Sequence, residues 1–124
     1  MNKIEEKILE LALKQTPSVE VLYEEGETRS VSFENNKLKY VNTKSIRGIG
    51  LRIIKDGRIG FSSTTDFRKP EKLVANAIES AKFGQVAAFD FPSINNFPKV
   101  AVLDQRVIDY PINKCVDIGK EAIE

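Results

Sequence analysis

One stretch constrains this chain more than any other: Ser45-Ile-Arg-Gly-Ile-Gly-Leu-Arg-Ile-Ile-Lys-Asp-Gly-Arg-Ile-Gly-Phe-Ser-Ser-Thr-Thr-Asp66. It reads as a long strand, a tight Asp56-Gly57 turn, a returning strand and a hydroxyl-rich exit. Asp-Gly between two apolar runs is a strong hairpin signal, because a two-residue type I′ turn needs positive φ at both central positions. That turn predicts a register with Lys55 opposite Arg58, Ile54 opposite Ile59, Ile53 opposite Gly60 and Leu51 opposite Ser62. One face then carries Ile49, Leu51 and Ile53 against the small residues Gly60 and Ser62. A helix has room to lie close to such a face. Gly48 and Gly50 fall on the other face, where they point to a bend, a bulge or close contact with another backbone.

The flanking segments supply the rest of the domain. Asn2 to Gln15 reads as an amphipathic helix, with Ile4, Ile8, Leu11 and Ala12 at helical spacing. Asn2 followed by Glu5 resembles a capping box, and Thr16-Pro17 ends the pattern. Val19, Val21 and Tyr23 alternate with Glu20, Leu22 and Glu24 in a first strand, and Glu25-Gly26 predicts a turn. Val31 and Phe33 mark a second strand, Glu34-Asn-Asn-Lys37 a second turn, and Leu38 to Asn42 a third strand. The long hairpin supplies strands four and five. Short connections of this kind imply an antiparallel meander. Lys69-Pro70-Glu71 opens another helix, with proline suited to the first helical position and the acid to the dipole. Its apolar face is Leu73, Val74, Ala77, Ile78 and Ala81, and Gly84 is the expected stop.

From Gln85 to Tyr110 the character changes. Phe89-Asp-Phe-Pro92 and Asn95-Asn-Phe-Pro98 break any long helix, and the aromatics suit an arm that packs on something rather than a free linker. Pro111 starts a third helix, with Ile112, Cys115, Val116 and Ile123 as its apolar face. That pattern stops at Glu124 in mid-course, as in a piece of a longer protein. The expected fold class is α+β, an antiparallel or mixed sheet of about five strands packed by helices. The expected organisation is a core over 1–84, an extended arm over 85–110 and the start of a helix over 111–124.

Composition then removes whole classes of function. The 124 residues suffice for one ordinary domain. A formal net charge of +1 points to neither nucleic acid nor an acidic membrane. No apolar run has transmembrane length, and Met1-Asn-Lys-Ile-Glu-Glu has no signal-peptide core. With a single cysteine, Cys115, this favours the cytoplasm. There is no histidine. That excludes a Ser-His-Asp triad, histidine acid–base catalysis and His-ligated zinc within this chain, and one cysteine cannot build a thiolate zinc site. The expectation is a chain with no catalytic residue, no metal ligand and no cofactor of its own.

Ser62, Ser63, Thr64, Thr65 and Asp66 form the one hydroxyl cluster. It is either a surface that contacts a peptide or ligand, or a strand end and turn before a helix; such residues favour turns and caps for local hydrogen-bonding reasons. The glycines of Arg47-Gly-Ile-Gly-Leu51 do not make a dinucleotide site, because that motif needs them in a strand-to-helix turn. Arg47, Arg52 and Arg58 beside Phe61 read as a solvated sheet face rather than a basic stripe, because the chain is near neutral and single-strand binding also needs exposed stacking aromatics. Glu24, Glu25 and Glu27 read as a charged hairpin tip, and Cys115 as a small apolar residue on a helix face.

Taken together, Glu20-Val-Leu-Tyr23, Val31-Ser-Phe-Glu34, Gly48-Ile-Gly-Leu-Arg52, Gly57-Arg-Ile-Gly-Phe-Ser-Ser-Thr-Thr-Asp66 and Ala77-Ile-Glu-Ser-Ala81 resemble the N-terminal domain of the TldD/PmbA family, often labelled modulators of DNA gyrase. The resemblance spans essentially the whole chain, and the serine-rich exit is closer to the PmbA (TldE) branch. It implies the N-terminal domain of a two-domain cytoplasmic metalloprotease-family subunit that pairs with a TldD-like or identical subunit and processes peptides. It also implies zinc on a His-Glu-x-x-x-His helix in a C-terminal region or partner subunit, outside this chain. The role expected for the chain is to shape the dimer and the access of a peptide, with the Ser62–Asp66 exit facing the interior of the assembly. The alternative is a stand-alone protein-interaction module that uses the arm and third helix.

Overall fold

Asp56 and Gly57 both take positive φ, at 52° and 74°, as a type I′ turn requires. The computed structural model of the chain describes residues 2–93 and 96–123. Among these, α1 (Lys3–Leu13) precedes three strands, β1 (Ser18–Glu34), β2 (Lys37–Lys55) and β3 (Arg58–Thr64), followed by α2 (Pro70–Ala81), a single turn of helix α3 (Gln105–Ile108), and α4 (Ile112–Ile123). The strands form one sheet in the order β1-β2-β3. β2 and β3 are antiparallel, and Lys55 faces Arg58, Ile53 faces Gly60 and Leu51 faces Ser62, as the turn dictates.

The sheet has three strands where the sequence reads as five. Glu25-Gly26 is not a turn. Gly57 is the one glycine with positive φ among the described residues, and β1 runs straight through Gly26. The apolar series Val19, Val21, Tyr23, Val31 and Phe33 keeps one phase across Gly26, so nothing forces the chain to reverse there. β2 likewise runs without a break past Asn42 into the long hairpin. The second turn is real: Asn35 and Asn36 adopt φ of 51° and 61°, a conformation asparagine tolerates better than most residues.

The chain divides into two compact units, Met1–Glu25 with Ile46–Ser93, and Gly26–Ser45 with Ile94–Glu124. The first holds the core. Ile8 and Ala12 of α1, Ile49, Leu51 and Ile53 of β2, and Leu73, Val74, Ala77 and Ala81 of α2 are buried together. Burying an isoleucine or leucine contributes about 1.5–3 kcal/mol, so the four large side chains at full burial, Ile8, Ile49, Leu51 and Ile53, dominate this unit. α2 lies so close to β3 that a Cβ at Gly60 would run into the Ala77 carbonyl and Ala81. The end of α1 is tied to the hairpin by the Thr16 hydroxyl, which donates to the Ile54 carbonyl at 2.5 Å, and by Lys55 Nζ, which donates to the Gln15 carbonyl at 2.8 Å. At the start of α1 the Glu5 carboxylate accepts from the Asn2 N–H at 2.6 Å.

After α2 the chain returns to the sheet. The Ile59 N–H donates to the Gln85 carbonyl at 2.9 Å, and the Ala87 N–H donates to the Gly57 carbonyl at 2.8 Å. Gly84 permits this return, because a Cβ there would overlap the Ile59 carbonyl. Its role is therefore close approach rather than a left-handed helix cap.

The second unit contains the Asn35-Asn36 end of the ribbon, α3 and α4. Ile112, Cys115, Val116, Gly119 and Ile123 are the half-buried positions of α4, and Gly119 lies against the Phe33 ring without room for a side chain. Arg29 donates to the main-chain carbonyls of Tyr110, Val107 and Ile108 at 2.5, 2.7 and 3.2 Å. Phe97 is 75% exposed; Asn95, two residues before it in the stretch that reads as helix-breaking, lies outside the described residues.

Candidate functional site on the open sheet face

Alternation along the strands sends every second side chain away from α1 and α2. In the first unit that face forms a concavity of about 1130 Å³, lined by Glu20, Leu22 and Glu24 of β1, Gly48, Gly50 and Arg52 of β2, and Phe61, Ser63 and Thr65 on and just beyond β3. Gly50 pairs with Ser63 in the ladder. The floor is therefore main chain and hydroxyls, with Leu22 and Phe61 left more than half exposed beside it.

The pleat divides the hydroxyl cluster. Ser62 turns inward and is buried, and its hydroxyl donates to the Leu73 carbonyl at 2.6 Å. Ser63 and Thr65 face outward into the concavity. Thr64 is occupied locally: its hydroxyl donates to the Asp66 carbonyl at 3.1 Å and accepts from the Asp66 N–H at 3.0 Å. Asp66 accepts from the Arg68 N–H and is held bidentate by its guanidinium at 2.8 Å on each oxygen. These bonds from Arg68 hold the Asp66 carboxyl well below the usual carboxylate range. Of the five candidate residues, the structure brings Ser63, Thr64 and Thr65 to the concavity, with the Thr64 hydroxyl already engaged.

One wall is charged and clasped. Arg52 meets Glu20 at 2.6 Å, and its guanidinium lies 5.0 Å from the Phe91 ring centre and 5.7 Å from that of Phe89. Phe89 and Phe91 themselves meet edge-on at 5.9 Å. The first part of the arm thus packs on the sheet through a cation–π contact, which contributes about 0.5–1 kcal/mol at exposed sites. The pairing was not visible in sequence, because it joins residues far apart along the chain.

The three arginines do not form a stripe. Arg47 stacks on Phe67 at 4.6 Å, Arg52 pairs with Glu20, and Arg58 donates to the Gly84 carbonyl at 2.8 Å. Nor do Glu24, Glu25 and Glu27 form a hairpin tip, since they lie within β1. Glu25 accepts from the Tyr23 hydroxyl at 2.7 Å, which raises the Tyr23 pKa. Among the described residues, no three His, Cys, Asp or Glu side chains converge as metal ligands would. With no histidine and one cysteine, the residues present do not fit a zinc centre. No described helix is long and apolar enough to cross a membrane.

The fold has counterparts among known proteins. Residues 19–81 match the PmbA/TldA metallopeptidase domain 1. The uncharacterized protein MJ0231 of Methanocaldococcus jannaschii is 29% identical over 112 residues, which cover 90% of this chain and 26% of that protein. TldE from Thermococcus kodakarensis superposes with a TM-score of 0.81 at 17% identity, over 95% of this chain and 28% of that one. A Thermotoga maritima protein named for modulation of a DNA gyrase, TM0727, gives a TM-score of 0.72 at 23% identity, over 97% of this chain and 28% of that one. These two likenesses establish the α+β fold, and the chain spans little more than a quarter of each relative. The match over the sheet and α2 settles the family: the chain belongs to the PmbA/TldD family and corresponds to its first domain.

Proposed function

We propose that this chain is a non-catalytic first domain of a TldE-like (PmbA-branch) subunit in a peptidase assembly. Its task is to shape a dimer with a TldD-like or identical subunit and to line the route of a peptide toward a zinc centre. That centre belongs to another domain or to the partner subunit, and no step of its chemistry falls to residues of this chain.

The observation that carries this reading is the floor of the open sheet face. Gly48 and Gly50 expose main chain there, and Ser63 and Thr65 stand beside them. Uncharged hydroxyls offer donors and acceptors to any peptide backbone while selecting few side chains. Leu22 and Phe61 add apolar area for whatever side chains pass. Such a surface suits handling of varied, extended peptides, and no histidine stands beside its hydroxyls to activate them for attack.

The test is Ser63→Ala with Thr65→Ala in the complete subunit together with its partner. Peptide processing should fall while assembly and thermal stability stay unchanged. Normal processing by that double variant would remove the lining role.

A further inference from the structure

The sheet has an edge that nothing among the described residues covers. β3 pairs with β2 only from Ile49 to Lys55. Over Lys37 to Ser45, β2 has β1 on one side and, among the described residues, no strand on the other. No turn or loop segment among the described residues exchanges main-chain hydrogen bonds with it there either. All nine residues, Lys37-Leu-Lys-Tyr-Val-Asn-Thr-Lys-Ser45, are exposed. Leu38, Tyr40 and Val41 are 44%, 50% and 46% exposed. This is a long edge of N–H and C=O groups left to solvent, carrying apolar, β-favouring side chains, and such an edge is a ready template for another extended strand.

We propose that this edge pairs with the same strand of a second copy of the chain, antiparallel about a twofold axis at Val41. The inference rests on the reading of the domain as one that shapes a dimer, and it names the surface that does so. The charges set the register. The segment carries Lys37, Lys39 and Lys44 and no acid, and like charges directly opposite destabilise a strand pair. With Val41 facing its own copy, Lys37 faces Ser45, Lys39 faces Thr43, Lys44 faces Leu38 and Tyr40 faces Asn42. No lysine meets a lysine, and all nine residues are used. Moving the partner strand by one residue in either direction sets Lys39 against Lys44, or Lys37 against Lys44. The lysines thus exclude the neighbouring registers and the indiscriminate stacking to which bare edges are prone. A two-fold axis also closes the assembly at two copies, since each edge is consumed by its twin.

The test uses the whole chain with Cys115→Ser to remove the native thiol. Adding Val41→Cys should give covalent dimers on mild oxidation or with a short bismaleimide, because the paired positions across the axis lie about 5 Å apart. Adding Lys37→Cys instead should give few, because position 37 faces position 45. Separately, Val41→Lys places like charges across the axis at an exposed site. It should weaken the dimer by about tenfold or more in sedimentation equilibrium with an unchanged circular dichroism spectrum. A chain that stays monomeric at about 100 µM, or cross-linking equally efficient from positions 37 and 41, overturns the proposal. Loss of the pairing would leave the peptide-lining role of Ser63 and Thr65 standing, and normal processing by their alanine variant would leave the pairing standing.

Discussion

The Ser62 hydroxyl donates to the Leu73 carbonyl at 2.6 Å, from the floor of β3 into the first turns of α2. It is the one polar side chain of the hydroxyl cluster that enters the core, and it fixes the height of the helix over the sheet. Ser62→Ala should lower stability by about 1 kcal/mol, the net value of a typical intramolecular hydrogen bond. The urea midpoint of the variant measures this, and an unchanged midpoint would show that the contact contributes nothing.

Gly60 and Gly50 make a matched pair of tests, one on each face of the hairpin. A methyl at Gly60 would enter the Ala77 carbonyl and Ala81, whereas at Gly50 it would meet the Phe61 ring at an ordinary 3.5 Å. Gly60→Ala should therefore destabilise by about 1–3 kcal/mol, as overpacking does, and Gly50→Ala by clearly less. Equal effects would mean that α2 does not sit as close to β3 as these contacts require.

The Asp56-Gly57 turn isolates backbone strain from packing. Gly57 has φ of 74°, and an added Cβ would meet nothing within 4 Å. Gly57→Val should still cost about 1 kcal/mol or more, because a β-branched residue fits positive φ poorly. Chemical denaturation of the variant beside the parent chain checks the value.

Asp66-Phe-Arg68 and Asp104-Gln-Arg106 repeat one device. In each, the aspartate accepts from the N–H and the guanidinium of the arginine two residues on. The side-chain bonds from Arg68 and Arg106 come first among the causes that lower both carboxyl pKa values from the ordinary 3.8. A carboxyl with a depressed folded pKa lends stability that is complete above its unfolded value and drains away as pH falls through the folded one. Denaturation midpoints should thus be level near neutrality and fall below about pH 4. Asp66→Asn should reduce the steepness of that fall, and an identical acid profile for the variant would dismiss the pair as a source of it.

How far the sequence could be read depends on the range of the interactions involved. Asp56-Gly57 imposes its register on the residues beside it, so every pairing from Lys55–Arg58 to Leu51–Ser62 was legible. Pro70 and the spacing of Leu73, Val74, Ala77 and Ala81 did the same for α2. Gly26 misled because glycine permits a turn without demanding one, and the strand phase on both sides of it was the better signal. The hydroxyl run was visible as a run, but the pleat gives Ser62 and Ser63 opposite environments, and only the paired register tells which is which. The contacts of Arg52 with Glu20 and Phe91, and the function of Gly84 as a point of close approach, join segments distant in sequence. No local pattern announces them.

Arg29 holds Val107, Ile108 and Tyr110 by their carbonyl oxygens alone. Carbonyls are common to every residue, so this grip is indifferent to which side chains the held segment carries. The segment can change its composition freely while its place is kept. Arg29 has no such freedom, because the planar fork that reaches several acceptors at once has no counterpart in lysine. Variation among descendants of this chain should therefore accumulate in what is grasped and spare the hand that grasps it.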